Sequence, residues 1–228
     1  MSWTATPVQA AYFYGQPLNQ SFPTLVHPNE LLDGALTSMT IGGRGIRAPT
    51  WMHVNNPVVR ELYAAHGQSL NFLGVVLMRT RWETFEEKRL IANQGAKLAQ
   101  WLGADGALVT WNGAGNAFIE AMLTVEVCEQ LGIKTVLVTF EHGGPDRMEP
   151  PAIYFSPLAD AVVSTGTRDL PLTLPTVERV VGGDDLALAP ELPGQRIPAA
   201  GEIEVKHLLE LYGSVDVWGF GSRRCLTC

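Results

Sequence analysis

Three short stretches carry side chains whose types and spacing suit chemistry. Glu141-His142-Gly143-Gly144-Pro145-Asp146 sets two carboxylates and an imidazole directly after an apolar run. Such a group can hold a cationic amine or move protons; a solvated turn is the competing reading. Asn112-Gly113-Ala114-Gly115-Asn116 has glycines that would let backbone N–H groups approach an anion or a carboxylate at the start of a helix. Phe118 stands where a G-x-G-x-x-G fingerprint needs its third glycine, so a dinucleotide has weak support. A tight strand-to-helix turn with Asn116 as N-cap accounts for the same residues equally well. Ser164-Thr165-Gly166-Thr167 adds hydroxyls and a flexible backbone.

A fourth cluster, His27-Pro28-Asn29-Glu30 with Asp33, lies between apolar segments. His27 and Glu30 could form a general acid–base pair or ligate a metal, whereas Asn29 or Asp33 reads as a helix cap. His53, His66 and His207 show no metal-ligand spacing and read as ordinary surface or core histidines. Cys128 falls inside a helical pattern and reads as a small buried hydrophobe. Cys225-Leu226-Thr227-Cys228 is a C-x-x-C whose spacing suits a reversible disulfide, and Arg223 and Arg224 favour the thiolate. An incidental pair on a frayed tail is the plainer reading. One C-x-x-C supplies two of zinc's four ligands, so zinc is not expected, nor is any other metal.

These residues need a frame. Ala10 to Gly15 reads as a first strand. Leu36 to Ile41 and Ile46 to Val54 read as extended segments around the turn signal Gly42-Gly43-Arg44-Gly45. Pro57 to His66 reads as a helix with proline at its first position. Phe72 to Met78 (FLGVVLM) has the pattern of a strand covered on both faces. Glu83 to Leu102 is helical and Gly103 stops it. Gly106 to Trp111 is a strand, Asn116 to Leu131 a helix capped by Gly132, and Lys134 to Phe140 another buried strand. Ala161 to Ser164 and Val177 to Val181 read as two more short strands. Pro190, Pro193 and Pro198, with Gly194 and Gly201, make Asp184 to Ala200 a linker or surface loop. Glu202 to Tyr212 reads as a last helix or strand, and the glycine-spaced remainder as a loose tail.

Alternating strands and helices with short loops predict an α/β fold. The expected architecture is a mostly parallel sheet with helices on both faces, Rossmann-like and three-layered, with an extended N-terminal segment and a C-terminal tail. Residues 1–183 form the core domain in this reading. Residues 184–228 form a connection and C-terminal segment packed on it, with the tail from about 222. Ligands of open parallel sheets bind at the carboxyl ends of the strands, where the first three stretches fall.

The 228 residues carry a formal net charge of -7. No Lys/Arg run stands out, which argues against a nucleic-acid surface. No apolar run is long enough to span a bilayer, and Met1 to Gln9 lacks the basic and apolar regions of a secretory signal. A cytoplasmic protein without nucleic-acid or membrane partners is expected, since three cysteines make no extracellular disulfide framework.

Several segments, in order, are similar to one family. They are Pro23-Thr24-Leu25-Val26-His27-Pro28-Asn29-Glu30, Asp33-Gly34-Ala35, Asn55-Asn56-Pro57, Asn71-Phe72-Leu73-Gly74-Val75 and Leu102-Gly103-Ala104-Asp105-Gly106. Gly113-Ala114-Gly115-Asn116, Ala159-Asp160-Ala161-Val162-Val163-Ser164-Thr165-Gly166 and Gly201-Glu202-Ile203-Glu204-Val205 continue the match. Together they resemble the pyruvoyl-bearing proprotein of component B in the glycine, sarcosine and betaine reductases. The match is to the later part of that proprotein, without its long N-terminal region. The resemblance implies reductive C–N cleavage of a small amino acid or betaine. It also implies a selenoprotein partner subunit supplying a selenol, and a thioredoxin-linked component that completes the cycle.

In that family the proprotein cuts itself at an Asn-Cys step after Asp-Gly-Ala, and the new N-terminal cysteine becomes pyruvoyl. Counting without a gap from Asp33-Gly34-Ala35 to Asn55-Asn56-Pro57 puts that step on Thr40-Ile41. Isoleucine has no thiol or hydroxyl to attack the preceding carbonyl. The chain is therefore expected to stay uncut, without a pyruvoyl group and with no other cofactor, beyond a redox disulfide Cys225–Cys228. Thr167, where the family usually has Asn, and the terminal C-x-x-C are two further departures.

The resulting expectation is a pyruvoyl-free component-B-like reductase subunit for a small amine- or carboxylate-bearing metabolite. It would work as a homo-oligomer, with a second, selenoprotein B-type subunit, or both. Asn116 and the glycine amides would hold a carboxylate, Glu141 an amine, and His27 or His142 would move protons. Cys225 and Cys228 would supply reducing equivalents. Asn112, Asp146, Thr165, Gly166 and Thr167 complete the expected pocket. A scaffold that has lost the chemistry, or a repurposed non-reductive enzyme of specialised metabolism, stands as the alternative.

Overall fold

The computed structural model describes residues 1–9, 11–38, 50–81, 83–112, 115–141, 150, 152–167, 172–187, 196–205, 218–219 and 224–226. The chain opens with β1 (Ser2–Gln9), β2 (Ala11–Phe13) and β3 (Gln16–Pro17). β4 (Thr24–Val26), α1 (Pro28–Leu32), β5 (Leu36–Ser38), α2 (Thr50–Val54) and α3 (Pro57–Ala65) follow. Then come β6 (Asn71–Arg79), α4 (Phe85–Trp101), β7 (Gly106–Asn112), α5 (Gly115–Gln130), β8 (Lys134–Glu141) and β9 (Val162–Thr167). β10 (Leu172–Leu174), β11 (Asp185–Ala187), β12 (Arg196–Pro198), β13 (Ile203–Val205) and β14 (Arg224–Leu226) complete the described strands and α-helices.

The main sheet has the order β14-β9-β8-β7-β1-β6-β4. β6, β1, β7, β8 and β9 run parallel, and β4 and β14 close the two edges antiparallel. Numbered along the chain, the parallel strands have the order 2-1-3-4-5, one of the two common doubly wound arrangements. The expected α/β, mostly parallel sheet is what the molecule has. Its helices cover both faces. Ala107 of β7 belongs to the cluster formed with Ala92, Ala96 and Ala99 of α4 and Leu123 and Val127 of α5. The next residue, Leu108, instead lines a cleft of about 260 Å³ with Val58 and Leu62 of α3. Successive strand residues point to opposite faces, so α3 lies across the sheet from α4 and α5.

Local signals explain the central elements. β6 and β8 are buried along most of their length, which is why their runs are almost wholly apolar. α4 starts at a capping box in which Thr84 and Glu87 satisfy each other's backbone N–H groups. Gly103 and Gly132 end α4 and α5 at φ +74° and +80°, a conformation that favours glycine. Gly106 has a different reason: a Cβ there would stand 2.7 Å from the Trp3 ring of β1. Cys128 is buried as expected, and burial pushes its thiol up to about 12.

Other expectations need correction. β1 is an interior strand of the main sheet, which no local signal marks. Pro7 argues against a central strand, but the ladder to β6 goes from Ala5–Val75 to Val8–Met78 and passes over the residue that has no N–H. The strand expected at Ala10 to Gly15 reduces to β2, in a small sheet with β3 and β5. Thr50–Val54 is helical rather than extended: burial of Met52 and His53 outweighs the β-propensity of Thr, Trp and Val. Val177 to Val181 is not a strand; Val177, Val180 and Val181 are exposed, and β10 pairs with β13 instead. β11 and β12 form an antiparallel pair inside the stretch read as a loop. The tail is not loose over Arg224–Leu226, because β14 is hydrogen-bonded to β9. Among the described residues no helix is long and apolar enough to cross a membrane.

Candidate active site at the carboxyl edge of the sheet

The chain leaves β1 for β6 on one side and returns to β7 on the other, so the strand order reverses between β1 and β7. Doubly wound sheets bind ligands at this reversal, outside the carboxyl ends of the strands. Gln9 pairs with Asn112 there. Asn112 is the last residue of β7 and Gly115 the first of α5, so the helix N-terminus opens onto the same edge. Glu141 ends β8 on the neighbouring strand, and Ser164 to Thr167 end β9 beyond it.

The floor of this edge is buried: exposure is 3% for Asn112, 0% for Glu141 and Ser164, and 6% for Thr165. Gly115, Asn116, Gly166 and Thr167 are half-buried and form its rim. An aromatic layer supports it. The Trp111 and Phe140 rings stack at 4.7 Å, and Phe118 meets Trp111 edge-on at 5.4 Å. Trp111 Nε1 donates to Thr139 Oγ1 at 3.0 Å. Asn112 and Glu141 immediately follow the two stacked residues, so the layer sets where β7 and β8 end.

β8 and β9 fall out of step here. Thr139 pairs with Ser164 but Glu141 with Thr167, so three steps on β9 oppose two on β8. Bulges of this kind re-aim side chains. Gly166 takes φ +96° in the bulge. Ser164 Oγ donates to Glu141 Oε1 at 2.5 Å and accepts the Gly166 N–H at 3.0 Å. Thr165 Oγ1 turns back to the Thr139 carbonyl at 3.5 Å.

A buried ion pair braces the helix side. Lys88 Nζ, in the first turn of α4, donates to Glu120 Oε1 at 2.6 Å and to the Arg81 carbonyl at 2.7 Å. Glu120 Oε1 also accepts the Arg81 N–H at 3.1 Å. Burial pushes the Glu120 carboxyl above its ordinary range, while the bond to Lys88, its charge and the Arg81 N–H pull it back. The first turn of α4 and the second turn of α5 are thereby tied together just behind Gly115 and Asn116.

The expected pocket is brought together only in part. Asn112, Gly115, Asn116, Glu141, Thr165, Gly166 and Thr167 share one edge on neighbouring elements. Asn116 lies inside the first turn of α5, so it is not the N-cap. His27 and Glu30 stand elsewhere. β4 is four strands away from β8 in the sheet, about 19 Å. Its Val26 pairs with Val75, short of the carboxyl end of β6. Both side chains are used in capping: His27 Nδ1 accepts the Asn29 N–H at 3.2 Å, and Glu30 Oε2 accepts the His27 N–H at 2.6 Å. The N-cap is His27, with Glu30 completing the capping box, rather than Asn29; Asp33 is the C-cap of α1, and its Oδ1 accepts the Ala35 N–H at 2.9 Å. Gly113, His142, Asp146 and Cys228 lie outside the described residues, as do Thr40 and Ile41. Cys225 is in β14, one strand beyond β9, and pairs with Val163.

Three partners, Ser164, Glu120 and Lys88, carry little or no signal of their pairing in sequence. Ser164 belonged to a highlighted stretch, but nothing local tied its hydroxyl to Glu141. Glu120 left a faint signal as the one charge in Ala117-Phe118-Ile119-Glu120-Ala121-Met122-Leu123. Lys88 left none, since it sits in the run Glu86-Glu87-Lys88-Arg89.

The family model described as glycine/sarcosine/betaine reductase component B subunits matches residues 1–222. "Glycine reductase complex component B subunits alpha and beta" of Peptoclostridium acidaminophilum is 33% identical over 212 residues, 92% of this chain and 49% of that protein. The same component of Acetoanaerobium sticklandii is 30% identical over 219 residues, 95% of this chain and 50% of that protein. "Sarcosine reductase complex component B subunit alpha" of Peptoclostridium acidaminophilum is 36% identical over 171 residues, 75% of this chain and 40% of that protein. The chain thus spans about half the length or less of these relatives. No solved structure matches it.

Proposed function

Since the chain belongs to the glycine/sarcosine/betaine reductase component B family, we propose that it is a pyruvoyl-free, component-B-like reductase subunit. It binds a small amino-acid zwitterion at the carboxyl edge of its sheet and takes part in reductive C–N cleavage with a second reductase-like subunit. The observation that carries this reading is the buried carboxylate of Glu141 on the strand next to Asn112 and the α5 N-terminus. A carboxylate and a helix N-terminus side by side are complementary to an ammonium and a carboxylate on one small molecule. Glu141 holds the amine; the α5 N-terminus, with Asn112 and Asn116, holds the acid.

The residues at the family's self-cleavage step do not suit a pyruvoyl group. The residue count puts Ile41 there, with neither thiol nor hydroxyl. The proposed reaction therefore uses the dithiol Cys225/Cys228. Its oxidation to a disulfide releases two electrons and two protons. The C–N bond breaks, the carbon gains hydrogen and the amine leaves protonated. Pairing of Arg224 with Ser164 supports Cys225 as one of the two thiols, since it holds β14 against the site strand.

Two measurements test the reading. Calorimetric titration should show that glycine, sarcosine or betaine binds at least about tenfold tighter than acetate or methylamine, each of which satisfies one half of the site. Equal binding of acetate, or none of the three amino acids bound, would sink the zwitterion site. Intact mass should show one species near 24.8 kDa. That species should be about 2 Da lighter without reductant, from one disulfide. Two fragments would return the family's self-cleavage to this chain.

A further inference from the structure

We propose that Ser164 is a positioning residue for Glu141, orienting the carboxylate that meets the substrate amine. The inference rests on the amine-binding reading above. Glutamate's terminal torsion is broad and roughly two-fold, so rotamer preference alone does not set the plane of its carboxylate. Here Ser164 Oγ holds one of its oxygens, donating to Glu141 Oε1 at 2.5 Å. The hydroxyl is itself directed. Its oxygen accepts the Gly166 N–H at 3.0 Å, which turns its proton toward Glu141. Both side chains are fully buried, so bulk water does not compete for either group.

The backbone is shaped to make this bond. The extra residue on β9 lies between Ser164 and Thr167, and Gly166 at φ +96° brings its N–H back onto Ser164. A regular ladder would carry that N–H past the hydroxyl. The bulge therefore joins the ends of two strands through a side chain at the place where the ligand sits, a recurrent use of bulges beside active sites. A carboxylate held in one plane meets an ammonium in one geometry, and small misplacements of such a group carry large losses.

The test is a double-mutant cycle on the full chain with Ser164→Ala, Glu141→Gln and both together. Each protein is titrated with glycine, sarcosine and betaine, and its melting and near-UV spectrum are recorded. Ser164→Ala is expected to weaken the tightest of the three by about tenfold, the effect of losing a hydrogen bond to a charged group. Ser164→Thr, which keeps the hydroxyl, should restore affinity to within about threefold of wild type. In the Glu141→Gln background, Ser164→Ala should add less than about twofold, because one residue acts through the other. A purely structural role would give the same further loss in both backgrounds. That result, or Ser164→Ala binding as wild type, overturns the positioning role and leaves the amine site standing. Glu141→Gln binding as tightly as wild type, or no binding of any of the three by wild type, overturns the amine site and this inference with it.

Discussion

Lys88→Met lowers the unfolding free energy by about 3–5 kcal/mol near pH 8, the usual loss when one partner of a buried ion pair is removed. Lys88 and Glu120 side chains are 2% and 0% exposed, so water cannot replace the lost partner. Met fills much of the volume of the lysine stem, which leaves the loss to electrostatics and hydrogen bonding. The pH dependence separates this from packing. Burial already pushes the Glu120 carboxyl above its ordinary 4.5, against the pull of Lys88. Without Lys88 it rises further. A carboxyl raised in the folded state contributes stability that is present below its unfolded value and lost as pH rises through the folded one. The deficit of Lys88→Met should therefore shrink as the pH falls from about 8 to about 5. Replacing both partners in Lys88→Met/Glu120→Leu should return to within about 1–2 kcal/mol of wild type, since apolar isosteres of buried pairs are often neutral. Urea midpoints for the three proteins at both pH values decide it. A loss equal at the two pH values, or a double variant as unstable as the single, would assign the effect to packing.

Trp111→Ala costs about 3–5 kcal/mol, the range for a deleted core Trp or Phe. Trp111 is 1% exposed and meets both Phe140 and Phe118. Its loss opens a cavity between β7, β8 and α5 and removes the Nε1–Thr139 bond. For a domain of this size the melting temperature should fall by roughly 6–20 °C, at about 2–4 °C per kcal/mol. Trp111→Phe keeps a ring in the stack and loses the hydrogen bond, so it should cost about half as much or less. Because Asn112 and Glu141 follow the stacked pair directly, Trp111→Ala should also weaken amino-acid binding well below the melting point. Melting within about 2 °C of wild type would mean that the stack does not support the edge.

The elements whose signals lie within ten or twenty residues were legible in sequence. β6, α4, β7, α5 and β8 fall within a residue or two of their expected bounds. Apolar runs, a Thr84–Glu87 capping box and two C-terminal glycines are local properties, and they act on the backbone wherever the segment lies. The mostly parallel sheet followed from their alternation. So did the placing of Asn112, Glu141 and Thr165 at strand ends, because a strand that precedes a short loop must end at the edge.

Strand neighbours and side-chain partners were decided by tertiary structure alone. β1 carries Pro7 and few apolar residues; it is interior because two ladders, to β6 and β7, claim it. His27 and Glu141 looked like members of one pocket, yet sheet order puts β4 four strands from β8, and the capping box uses His27 and Glu30 locally. The Ser164–Glu141 and Lys88–Glu120 bonds join residues 23 and 32 apart. The sequence determined which segments become strands and helices, since hydrophobic period and caps are written in short windows. Only the folded chain decided which charges meet, since strand order and register depend on burying all the faces at once.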